Sequence, residues 1–218
     1  LLDRVRRGKT AYAYLAPVLD FFQRYGRTAL LILLLVGLYR ISDIVLGVIA
    51  NVFYFDMGFT KAEVANVTKV FGVAMTLLGA VLGGTLVGRF GVMRILFIGG
   101  LLAAATNLLF ALLATLGHDL PMLMVVVGMD NLSGGLATAA FVAYLSGLTN
   151  ISYSATQYAL FSSLMLLLPK FIGGFSGVAV EAYGYPQFFT ATAAMGLPVL
   201  IFVWLAWRYV PAEGGDGR

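Results

Sequence analysis

Residues 28–55 read TALLILLLVGLYRISDIVLGVIANVFYF, and this stretch decides the fold. It is apolar and long enough to cross a hydrocarbon core of ~30 Å, which takes roughly 20 helical residues. Yet Arg40 and Asp43 stand near its middle. An ionisable group in hydrocarbon costs several kcal/mol unless it is paired or faces a wet cavity, so a charge there defaults to function. Arg40 and Asp43 are three apart and share a helix face, with Asn51 further along it.

Five more apolar stretches follow. The second opens at Thr60-Lys61-Ala62-Glu63, a capping-box sequence, and continues to about Gly88. It carries Lys69, with Asn66 and Thr76 on one stripe, and two glycine pairs at GxxxG spacing, Gly79/Gly83 and Gly84/Gly88, which predict close helix packing. The third runs over 92–116, and the fourth from Pro121, at a first-turn position, to about Leu148. The fourth holds Asp130, Asn131, Ser133, Gly134 and Thr138. The fifth starts at Ser154-Ala155-Thr156-Gln157, a second capping-box sequence, and ends near Ala182. Its Pro169 removes a backbone hydrogen bond beside Lys170 and predicts a kink. The sixth runs from about Pro186 to Trp207.

Charges inside spans one, two, four and five, with none deep in three and six, predict four helices lining a polar path and two turned to lipid. Arg40, Lys69 and Lys170 against Asp43 and Asp130 give this set a surplus positive charge, which favours an anionic substrate. Asp43 and Asp130 can each take a proton. Arg40 neighbours Asp43 on its own helix, whereas Asp130 has no cation three or four residues away, so Asp130 is the first candidate for proton exchange. A purely structural role as a buried ion pair is the competing reading for Arg40–Asp43.

Composition agrees with a membrane-embedded chain. Of the 218 residues 61% are hydrophobic and 11% charged, with a mean hydropathy of +0.93, against about 25% charged in soluble domains. Continuous apolar runs, without alternation, argue against barrel strands. Ten of fourteen Lys and Arg fall on one side of the six spans and only Lys61 on the other, with three inside spans. By the positive-inside rule both termini are cytoplasmic. The net charge of +4 is this bias and not a nucleic-acid footprint. With no Cys and one loop histidine, His118, no metal site or cofactor is expected. Neither a nucleophile–base pair for an intramembrane enzyme nor a repeated charged ring for a channel is present.

The domain reading has three parts. Residues 1–27 form a basic cytoplasmic or interfacial linker with a short amphipathic helix, Arg24 and Arg27 lying among headgroups. Residues 28–209 form a six-helix transmembrane bundle, and 210–218 a cytoplasmic tail. The fold class is all-α and polytopic.

Gly84–Arg94, GTLVGRFGVMR, resembles the loop signature of the major facilitator superfamily, with Gly88 where an acid is usual and Val92 where a base is usual. Tyr39–Asp43 (YRISD), Asn131–Gly135 (NLSGG), Thr138–Tyr144 (TAAFVAY), Ser154–Leu160 (SATQYAL) and Val180–Pro186 (VEAYGYP) together resemble the AmpG-type muropeptide permeases. The resemblance covers nearly all of 28–210 and corresponds to that family's C-terminal six-helix half; Lys170 departs from it, standing where Arg is expected. It implies two inverted three-helix repeats and proton-coupled import of anhydromuropeptides for cell-wall recycling across the bacterial inner membrane. An N-terminal six-helix half, missing from this chain, would complete the transporter, and the Leu at position 1 fits a fragment. Expected partners are an anionic muropeptide, protons and lipid. Arg40, Lys69 and Lys170 are the candidates to hold substrate carboxylates; Asn131, Asn66 and Tyr39 to contact sugar or peptide; Asp130 and Asp43 to couple protons. The alternatives are a carrier of another organic anion, such as an acyl-CoA, and a non-transporting sensor on the same fold.

Overall fold

The computed structural model describes residues 16–210, so the basic cluster at 4–9 and the tail from 211 lie outside the described residues. Six helical spans, all long and apolar enough to cross a membrane, make up the described chain: Ala16–Asp56, Lys61–Phe90, Val92–Leu116, Leu120–Leu148, Ile151–Tyr183 and Tyr185–Tyr209. No strand occurs among the described residues.

The spans pack in the order 2–4–3–6–1–5. Exchanging span 1 with 4, 2 with 5 and 3 with 6 reverses this order and keeps every neighbouring pair, which is the mark of two three-helix repeats. An odd number of crossings starts the second repeat on the opposite side, so the repeats are inverted. Corresponding joints agree in detail. Gly91, between spans 2 and 3, and Gly184, between spans 5 and 6, adopt nearly the same left-handed conformation, φ +85° and +80°, which glycine reaches without steric cost.

Close approach of spans 2 and 4 rests on small residues. A Cβ on Gly79 would collide with the Leu132 carbonyl, one on Gly83 with Leu136, and one on Gly135 with the Thr76 carbonyl. The second glycine pair behaves differently: a Cβ on Gly84 or Gly88 would meet nothing within 4 Å, so only the first GxxxG pair is a packing motif among the described residues.

Three of the spans are irregular, and each irregularity adjoins a charge. Span 1 breaks at Tyr39 and Arg40, between helices Ala29–Leu38 and Ile41–Asp56, with Arg40 at φ −101°, ψ 12°. Span 2 contains a π-helical turn, Asn66–Phe71, around Lys69; such turns cluster at functional sites. Span 5 carries Pro169 and Lys170 in its first helix, Ser154–Gly173, and breaks before a second helix at Ser176–Tyr183. The predicted kink is therefore a full interruption a few residues beyond the proline.

Of the two capping boxes, one forms. Thr60 and Glu63 bond reciprocally at the start of span 2, and Asp119 caps span 4 ahead of Pro121. Ser154 makes no cap. Its expected partner Gln157 is 1% exposed and is instead a hub, accepting from Asn150 N (2.8 Å) and Arg24 Nη2 (3.1 Å) and donating to Pro17 O (2.8 Å) and Asp20 Oδ2 (2.9 Å). Residues 16–25 are helical, and Arg24 is occupied by Asp20, Leu148 O and Gln157. Phe21 packs on Phe161 of span 5, with ring centroids 5.1 Å apart. The start of span 1 is thus fastened to the joint between spans 4 and 5.

Candidate functional site

The break in span 1 turns Arg40 towards span 4, where its Nη1 donates to Thr138 Oγ1 at 2.7 Å. Arg40 Nε stands 3.4 Å from Asp43 Oδ2, one turn further along. Across from them, Thr76 of span 2 donates to Asn131 Oδ1 at 2.8 Å, and Asn131 Nδ2 donates back along its own helix to Val127 O at 2.8 Å. Arg40, Asp43, Thr76, Asp130, Asn131, Gly134, Gly135 and Thr138 line one open polar cavity of about 350 Å³. Gly134 and Gly135 keep side chains out of the wall, and spans 1, 2 and 4 supply its polar groups.

This pocket is not fully satisfied by its own side chains. Arg40 Nε and Asp43 Oδ1 are buried without a hydrogen-bond partner among the described residues. Buried polar groups are paired in the great majority of cases, so each exception calls for an explanation.

The predicted residues divide. Arg40, Asp43, Asp130 and Asn131 come together in the cavity. Lys69, Asn66 and Lys170 do not; all three are exposed on the faces of spans 2 and 5, the least buried of the six. Tyr39 is 5% exposed, its hydroxyl donates to Leu96 O at 2.9 Å, and its ring stacks on Phe141 at 4.7 Å. Its polar atom is engaged in holding span 1 to span 3 and does not reach the cavity wall. The predicted surplus of positive charge also changes: the cavity holds one cation, Arg40, and two carboxylates, Asp43 and Asp130.

The charge pattern predicts a span 3 turned to lipid, and the structure corrects this. Thr106 Oγ1 lies 3.3 Å from Asp130 Oδ1. Its neighbour Asn107, fully buried, donates to Ser42 Oγ at 2.7 Å and Thr192 Oγ1 at 3.2 Å, joining spans 1, 3 and 6 beside Asp43. Counting charges alone passes over this span; the signal is the adjacent pair Thr106-Asn107 inside a run of Leu, Ala and Phe.

The sequence pattern of the Major Facilitator Superfamily matches residues 12–217. The chain belongs to that superfamily. Within it, the relatives are of the AmpG type. The chain is 38% identical over 192 residues to the "Anhydromuropeptide permease" of Escherichia coli, an overlap of 88% of this chain and 39% of that protein. To the "Putative transporter AmpG 4" of Rickettsia felis it is 33% identical over 192 residues, covering 88% of this chain and 46% of the relative. An uncharacterized Haemophilus influenzae protein is 36% identical over 203 residues, covering 89% and 48%. The chain spans less than half the length of these curated relatives. The chain is a multi-pass membrane protein of that superfamily.

Proposed function

We propose that these residues form the C-terminal half of a proton-coupled carrier that imports anhydromuropeptides through the bacterial inner membrane, with both termini cytoplasmic. The observation that carries this reading is the cavity's charge set, one guanidinium against two carboxylates at a helix break. With both carboxylates ionised the set carries one net negative charge; one bound proton makes it neutral. A pocket that changes from negative to neutral on taking a proton is able to link proton uptake to acceptance of an anionic cargo, because an anion is repelled in the first state and not in the second. The name of the Escherichia coli relative supports the muropeptide as that cargo.

In this mechanism Arg40, whose Nε is ion-paired with Asp43 but makes no hydrogen bond, receives a substrate carboxylate, and Asn131, whose amide is held by Thr76, meets a sugar or peptide oxygen. Lys69, Asn66 and Lys170, exposed beside or near irregular turns, meet the cargo when a second six-helix half closes the cavity. Asp130 carries the proton, and Asp43 stays with Arg40. Rocking of the halves about the site gives alternating access.

Counterflow of labelled anhydromuropeptide into proteoliposomes loaded with unlabelled substrate, using the intact transporter, tests the substrate claim. Label is expected to overshoot equilibrium and to be displaced by unlabelled muropeptide. Absence of overshoot, with overshoot of another organic anion under the same conditions, would reassign the cargo.

A further inference from the structure

Asp130 is held by a group that can bond to it in either of its charge states. Thr106 is 3% exposed, and its Oγ1 lies 2.9 Å from the Ala103 carbonyl of its own helix and 3.3 Å from Asp130 Oδ1. A hydroxyl has one proton to donate and two lone pairs with which to accept. It cannot donate to the carbonyl and the carboxylate together. When Asp130 is ionised, the hydroxyl turns to donate to the carboxylate. When Asp130 is protonated, the hydroxyl donates to Ala103 O and accepts the carboxylic acid O–H. No heavy atom has to move between these two arrangements.

Resting on the reading of Asp130 as the proton carrier, we propose that Thr106 is its positioning residue: a hydroxyl rotor on span 3 that keeps Asp130 hydrogen-bonded through both halves of the proton cycle. Other elements offer nothing equivalent. The ionisable groups in electrostatic reach of Asp130 are Asp43, Arg40 and Tyr54, all on span 1. Arg40 can only donate, and it is engaged with Thr138 and Asp43. On span 2, packed against span 4, Lys69 is the sole cation between Lys61 and Arg89 at the two ends, and it is exposed. On span 5, Lys170 is exposed. Span 3 presents no ionisable group to the carboxylate, only Thr106. The adjacent Asn107 bonds to Ser42 and Thr192, so the stretch bearing the rotor is pinned to spans 1 and 6.

Removal of the hydroxyl at constant shape, Thr106→Val, is the direct test, with Thr106→Ser as the conservative rescue and Thr106→Ala as a second hydroxyl-free variant should Val pack badly. The intact transporter in lipid is titrated with pH and followed by infrared difference spectroscopy, and the acid C=O band of Asp130 is identified by its loss in Asp130→Asn. A carboxylic acid that loses the acceptor of its O–H has a stiffer C=O bond. In Thr106→Val and Thr106→Ala the band therefore moves to higher wavenumber, while in Thr106→Ser it keeps the wild-type position. The ratio of pH-driven uptake to counterflow, measured with labelled anhydromuropeptide, falls about tenfold in the two hydroxyl-free variants, because the bond lost to the ionised carboxylate is stronger than the one lost to the neutral acid, and recovers in Thr106→Ser. A wild-type band position and wild-type ratio in either folded hydroxyl-free variant would overturn the role of Thr106 while leaving Asp130 as carrier. An Asp130→Asn protein that keeps both the band and pH-driven uptake would overturn the carrier assignment, and this inference with it.

Discussion

Gly135 is the position where one methyl group does the most predictable damage. Span 4 approaches span 2 so closely there that a Cβ would overlap the Thr76 carbonyl and crowd the Ala80 amide. Both obstacles are backbone, which cannot rotate aside as a side chain does, so the two helices must separate. Overpacking of this kind costs about 1–3 kcal/mol. Separation also stretches the 2.8 Å bond from Thr76 Oγ1 to Asn131 Oδ1, which joins the same two helices, adding about 0.5–1.5 kcal/mol. Gly135→Ala is therefore expected to lose about 2–4 kcal/mol of stability. The neighbouring residue provides the control: a methyl group added at Gly134 would meet nothing within 4 Å, and replacing a mid-helix glycine with alanine at an open position gains up to about 1 kcal/mol of helix propensity. Equilibrium unfolding of the two variants by denaturing detergent in mixed micelles reads the difference. Equal midpoints for Gly134→Ala and Gly135→Ala would refute the close packing of spans 2 and 4, and with it the shape of the cavity that those spans wall.

The exposed lysines and the loops give two further tests. Replacing Lys69 or Lys170 with Gln should weaken binding of a carboxylated muropeptide by about 2–5 kcal/mol, the usual cost of losing one partner of a desolvated charged contact, and should spare an amidated analogue. Equal small losses for both ligands would place these exposed lysines against lipid or solvent. Single cysteines at Lys61 and His118 should react with an impermeant maleimide in intact cells and one at Arg89 should not, given the ten-to-one bias of Lys and Arg between the two sides; labelling at Arg89 alone would invert the topology.

Most of the fold is legible in the sequence because each span states itself locally. A run of apolar residues closed by Gly91, by Gly117-His118-Asp119 or by Tyr183-Gly184-Tyr185-Pro186 needs no tertiary information to be read as a crossing. The Thr60–Glu63 box forms because both ends of its bond lie on one turn. Ser154–Gln157 has the same pattern, but Gln157 has four partners, three of them on residues 17–24, which outcompete a local cap. At the cavity, Arg40, Asp43 and Asp130 are recoverable because charge in hydrocarbon is rare enough to be informative, and Asn131 because it adjoins Asp130. Which way a side chain on a span points is not recoverable. Lys69 and Tyr39 show this in opposite directions, one exposed and the other sunk between spans 1 and 3. Helical spacing fixes relative faces within a span, whereas the π turn at Asn66–Phe71 and the break at Arg40 re-aim everything beyond them. Thr106 and Asn107 escape notice because uncharged polar residues cost too little in a membrane to stand out, until the structure puts partners beside them.

If a proton on Asp130 drives the cargo inward, Asp130→Asn in the intact transporter must separate transport from the pH gradient. An amide can neither gain nor release the proton, yet it keeps nearly the shape of the carboxylic acid beside Thr106. Accumulation of labelled anhydromuropeptide driven by a pH gradient alone is measured against exchange between equal pools at equal pH. Accumulation is expected to disappear while exchange continues, as for a carrier fixed in the protonated form. Accumulation against a concentration gradient by Asp130→Asn, driven by pH alone, would contradict it and move the proton site away from Asp130.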